Sequence, residues 1–85
     1  MITKIKITLT SGQKYTLKSP DRLQDVDSKR ECLFVFDNAQ IFLGLTDGKV
    51  DDDGDFRVTR PNARNDIGLP FERLVGWAYK REKKS

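Results

Sequence analysis

Apolar and polar side chains alternate through the first eighteen residues. Ile5, Ile7 and Leu9 are interleaved with Lys4, Lys6 and Thr8, and after Ser11-Gly12 the order resumes with Tyr15 and Leu17 between Lys14, Thr16 and Lys18. A period of two on both sides of a turn-forming pair predicts a β-hairpin over residues 2–18, with one face on a core and the other rich in lysine. Ser19-Pro20-Asp21 then has the order of a helix start: a capping hydroxyl, a proline tolerated in the first turn and an acid near the positive end of the dipole. With Leu23 and Val26 three apart behind it, the segment reads as one short helix near residues 20–27, or as an ordered, highly charged loop.

Two apolar runs follow, Cys32 to Phe36 and Ile41 to Leu45, separated by the turn-prone Asp37-Asn38. They predict a second hairpin. Neither run alternates, so both faces of this hairpin need cover from the helical segment, from closure of a barrel or from another subunit. Beyond a polar turn at Asp51 to Asp55, Phe56 and Val58 alternate with Arg57, Thr59 and Arg60 in a fifth strand that Pro61 ends. Residues 62–66 read as a loop and Leu69-Pro70-Phe71 as a tight turn. Val75, Trp77 and Tyr79 then mark a sixth strand, whose small residues Gly76 and Ala78 allow close approach of another backbone or ring. The expected fold is mainly β: a single small antiparallel barrel or strongly bent sheet of five to six strands over residues 1–80, with a frayed basic tail beginning near Lys80 and disordered over 81–85.

The opening Ile5-x-Ile7-x-Leu9-x-x-Gly12 looks like the start of the first Sm motif, and Phe36-Asp37-Asn38-Ala39-Gln40-Ile41-Phe42-Leu43 is similar to its later part. The chain thus resembles the Sm-like and SH3-like small barrels over about half its length. That resemblance implies a small barrel, and in the Sm-like family such barrels form rings that bind single-stranded RNA. Ile41 stands where the Sm motif carries its base-contacting asparagine, about a dozen extra residues separate Gly12 from Asp37, and the second motif's Arg-Gly pair has no counterpart. No binding residue carries over.

The chain has 85 residues, enough for one core, since a domain of this size buries only about 60–65% of its unfolded surface. Eight aromatic residues favour folding despite 34% charged residues. Cys32 is the single cysteine, so no internal disulfide or paired-thiol zinc site can form. Neither a leader nor a membrane span is evident, and a cytoplasmic location is expected. The net charge of +3 is unevenly spread: residues 1–30 sum to +4, 31–55 to −6 and 56–85 to +5. This order can build two opposed faces or interleave and cancel.

Candidate chemistry is sparse. With no histidine the usual general base is absent, and Cys32, beside Leu33 and Phe34, reads as a buried and inert thiol. Asp51-Asp52-Asp53-Gly54-Asp55 concentrates carboxylates but fails the EF-hand template, because Lys49 and Arg60 fall on ligand positions. A solvated turn is expected there, with no metal and no cofactor. Arg57, Arg60 and Arg64, with Asn62 and Asn65 between them, form the candidate ligand-binding surface, which Lys4, Lys6 and Lys14 extend. Phe34, Phe42, Trp77 and Tyr79 are the rings available for stacking, with Trp77 and Tyr79 read as core. These features favour a non-enzymatic binding module that engages a protein partner or a second copy as a homodimer. The alternative is single-stranded nucleic-acid (RNA) binding through the arginine loop.

Overall fold

The computed structural model describes residues 5–60 and 65–81. The first hairpin forms as its alternation dictates. Strand β1 (Ile5–Thr8) runs antiparallel to β2 (Lys14–Leu17), with Ile7 opposite Tyr15. The Leu9 amide donates to the Gln13 carbonyl and the Gly12 amide to Leu9, which closes the turn with Gly12 at φ 91°. Tyr15 and Leu17 are buried, whereas Lys14, Thr16 and Lys18 are exposed.

The predicted helix is a 3-10 helix, Pro20–Asp25, tighter and shorter than expected. Leu23 is its one buried residue, and a single apolar anchor does not offset the entropy of a longer α-helical ladder. The Ser19 hydroxyl does not cap a backbone amide; it donates instead to the Asp21 carboxylate.

Strands β3 (Cys32–Phe36), β4 (Ile41–Gly44), β5 (Asp55–Val58), β6 (Ile67–Pro70) and β7 (Leu74–Tyr79) complete the fold. Among the described residues the strands number seven, not five or six. The addition is β6, which lies where a loop and tight turn were expected. Ile67 and Leu69 alternate around Gly68, Leu69 is buried, and Pro70 occupies the strand's last position, where a missing N–H is tolerated. β3 and β4 form the second predicted hairpin, and a short 3-10 turn, Phe71–Arg73, leads into β7.

Three antiparallel sheets result, β1-β2, β4-β3-β7 and β5-β6. Single bridges link them. Lys18 and Trp77 exchange backbone hydrogen bonds of 2.6 and 3.1 Å, and Leu45 and Thr59 exchange bonds of 2.9 and 2.8 Å. The spatial order is therefore β1-β2-β7-β3-β4-β5-β6. Among the described residues no pairing joins β6 to β1, and the series does not close into a barrel.

β3 is buried at all five positions. Cys32, Phe34 and Phe36 enter the larger core with Leu23, Phe56, Val58, Leu69, Leu74 and Trp77; Leu33 and Val35 enter a smaller one with Tyr15, Leu17 and Ala78. The 3-10 helix and the β5-β6 pair supply the first core, and the β1-β2 hairpin lies over the second. The chain beyond β7 does not fray at Lys80. Its amide donates to the Glu31 carbonyl, its carbonyl accepts from the Tyr15 hydroxyl at 3.0 Å, and its ammonium pairs with Glu31 at 2.9 Å. Residues 82–85 of the expected tail lie outside the described residues. Among the described residues no helix is long and apolar enough to cross a membrane.

Gly76 permits the first hairpin to dock. A Cβ there would meet the Leu17 Cβ at 2.8 Å and the Lys18 carbonyl oxygen at 3.0 Å. Gly76→Ala should therefore push β2 from β7 and destabilise the protein by about 1–3 kcal/mol, read as a lower urea midpoint with an unchanged slope. An unaltered midpoint would mean that the hairpin is not seated on β7 as described.

Candidate interaction site

The cover over β3 does not extend across β4. Cross-strand pairing sets Leu33 opposite Leu43 and Val35 opposite Ile41, so these four side chains belong to one face. Leu33 and Val35 lie beneath the first hairpin, while Ile41 and Leu43 remain 41% and 37% exposed. Leu45, two residues further along the same face, is 37% exposed. Phe42 points the other way, packing edge-on against Phe36 at 5.5 Å. The smaller core thus continues outward as an apolar stripe, Ile41-Leu43-Leu45.

Polar groups border its Leu45 end. The Leu45–Thr59 bridge brings β5 alongside, and exposed Arg57 and Thr59 alternate with buried Phe56 and Val58. Leu45, Asp47, Arg57, Thr59 and Asp66 surround a shallow recess of about 260 Å³. The Thr59 hydroxyl donates to the Asp66 carboxylate at 2.6 Å. The stripe thus has an apolar centre bordered at one end by groups of both charges.

The predicted arginine surface is only partly assembled. Arg57 shares its recess with Asp47 and Asp66, and Arg60 is exposed beyond the end of β5; Arg64 lies outside the described residues, as does Lys4. Lys6 and Lys14 are exposed on the first hairpin, at the opposite end of the strand series from β5. Trp77 is core, as expected, and so is Phe34; Tyr79, also expected in the core, is only half-buried at its edge and lies under the Arg30 guanidinium, 3.7 Å from its centroid. Among the described residues Arg57 therefore meets acids, whereas Arg30, Tyr79 and Arg81 converge without any local signal in the sequence.

The acidic segment is a hairpin turn. The Asp51 carboxylate accepts from the Asp53 and Asp55 amides at 2.9 and 3.0 Å, and the Gly54 amide donates to the Asp51 carbonyl. Among the described residues no three potential ligands converge.

Burial pushes the Cys32 thiol up to about 11, with Arg30 opposing the rise and Asp27 and Glu31 adding to it. Because the folded value lies above the unfolded one, near 9.0, the contribution to stability is complete below about pH 9 and is lost as pH rises through about 11. Urea titrations across that window should show a steeper decline for the wild type than for Cys32→Ala. Parallel declines would place the titration elsewhere. At neutral pH the native thiol should resist a bulky thiol reagent that labels the unfolded chain fully.

The comparisons with known proteins add no assignment: the chain matches no family model, no curated protein and no solved structure.

Proposed function

We propose that this protein is a non-enzymatic interaction module and that the outer face of β4 mediates its self-association. One observation carries the reading: Ile41, Leu43 and Leu45 are exposed in a row that continues a buried core. An apolar row without charges needs no complementary pattern, so it can meet a second copy of itself about a two-fold axis. The rim supports this reading, since Arg57 on one copy can face Asp47 or Asp66 on the other. Three partly exposed side chains are a small part of the roughly 800 Å² per partner found in standard interfaces, so the association is weak and concentration-dependent. The small-barrel resemblance adds no ligand to this reading.

Sedimentation velocity over a wide concentration range tests the reading. The wild type should show a rising weight-average sedimentation coefficient, and Leu43→Lys should hold it at the monomer value with the fold retained, because Leu43 is already partly in water. Strict monomer behaviour of the wild type at millimolar concentration would refute it. Equal association by wild type and Leu43→Lys would move the interface away from β4.

A further inference from the structure

We infer that the lysine-bearing face of the first hairpin, together with Arg30 and Arg81 beside it, binds the phosphate backbone of a single-stranded nucleic acid. The surface lies on the opposite flank of the central sheet from the β4 stripe and does not depend on self-association.

Strand pairing assembles it. The single Lys18–Trp77 bridge sets β2 antiparallel to β7, and the register extrapolated from it runs Thr16 toward Tyr79 and Lys14 toward Arg81. The Tyr15 hydroxyl bond to the Lys80 carbonyl agrees with this register. On the other side of β7, Cys32 pairs with Tyr79 and the Lys80 amide bonds to Glu31, which brings Arg30 beside Arg81. Lys6, opposite Thr16 on β1, joins the same exposed face. Residues directly opposite in antiparallel strands project to one side, so Lys18, Arg30 and Arg81 gather at Tyr79 and exposed Lys6 and Lys14 extend the same side along the hairpin.

Arg30 is held in place for recognition. Its guanidinium lies over the Tyr79 ring at 3.7 Å, and its Nη2 donates to the Arg81 carbonyl at 2.6 Å. The Asp27 amide donates to the Tyr79 hydroxyl at 3.0 Å, which fixes the ring in turn. Lys18 Nζ stands 6.0 and 5.9 Å from the Trp77 and Tyr79 centroids. Among the described residues the ion pairs are Arg22–Asp25 and Lys80–Glu31, and neither uses a cation of this cluster. Next to Arg30 and Arg81 is an open recess of about 340 Å³, which Glu31 and Lys80 also line. A guanidinium pinned to a ring and to a carbonyl retains N–H donors for a phosphate oxygen and a planar face for a base.

That pairing of a stacking plane with a row of cations distinguishes the ligand. An acidic peptide has no base to stack. A lipid surface needs apolar anchors, and the exposed large apolar residues are instead Ile41 and Leu43 on β4, Leu45 just beyond it and Val50 before β5.

Fluorescence anisotropy with labelled random single-stranded RNA and single-stranded DNA, titrated at several salt concentrations, tests the inference. The wild type should bind at low salt and weaken as salt rises, and the double substitution Lys14→Gln/Lys18→Gln should reduce the logarithmic salt slope by about 1.4, or about 0.7 for each lost contact. Both lysines are exposed, so this variant should melt like the wild type. Arg30→Lys should keep the slope but weaken binding several-fold through loss of the planar stack, and Arg57→Gln should change neither. No binding at low salt, an unchanged slope in the double variant, or equal binding of polyglutamate at matched charge would each overturn the inference.

Discussion

A strand with no polar face can exist only between two layers, and β3 is such a strand. Cys32, Phe34 and Phe36 project to one side and Leu33 and Val35 to the other, and all are buried. Each such side chain stabilises the fold by about 1.5–3 kcal/mol when fully withdrawn from water, so β3 requires cover on both faces. The chain supplies that cover from unequal resources. The larger core receives Phe56, Val58 and Leu69 from the β5-β6 pair and Leu23 from the 3-10 helix; the smaller receives Tyr15 and Leu17 from one four-residue strand. One short hairpin spans β7 and β3 but stops short of β4. The exposed stripe is thus a consequence of packing: the second layer ends one strand before the apolar sequence does.

How much of this was legible depends on whether neighbouring positions differ in polarity. The first hairpin could be placed because Lys14, Thr16 and Lys18 contrast with Tyr15 and Leu17. In Ile41-Phe42-Leu43 every position is apolar, so alternation says nothing about which side chains face out, and only the pairing with β3 turns Phe42 inward and its neighbours to solvent. β6 escaped notice for a related reason. Ile67 and Leu69 are two apolar positions among Gly68, Pro70 and a polar loop, a signal no stronger than that of a turn.

The charged residues obey the same logic at longer range. Arg57, Arg60 and Arg64 are neighbours in sequence, which suggested a common surface, but β6 returns Asp66 to the side of β5 on which Arg57 projects, and Asp47 arrives from the loop after β4. Arg30 and Arg81, fifty-one residues apart, meet because Cys32 pairs with Tyr79. Proximity of charges along a strand-rich chain is therefore a poor guide to electrostatic surfaces, since each neighbouring strand contributes half of the field. Register information was what the sequence lacked.

The central sheet β4-β3-β7 also stands between the two flanks. β7 leads through the Lys18–Trp77 bridge to a hairpin whose exposed face carries Lys6, Lys14 and Lys18; β4 leads through the Leu45–Thr59 bridge to β5, which the acidic turn at Asp51 to Asp55 precedes. Of the two arrangements open to a basic–acidic–basic chain, the described residues show some of each: exposed lysines collect on the first hairpin, while Arg57 lies among Asp47 and Asp66. Their distance along the strand series keeps the two proposed surfaces apart. Two copies meeting on β4 bring together an uncharged stripe and rims containing both signs, while the cationic hairpins remain outside the contact. A dimer would then offer a long polyanion two separated cationic faces, and simultaneous engagement would raise apparent affinity through effective concentration without any new contact. If both proposals hold, weak self-association and weak backbone binding would reinforce each other through this avidity.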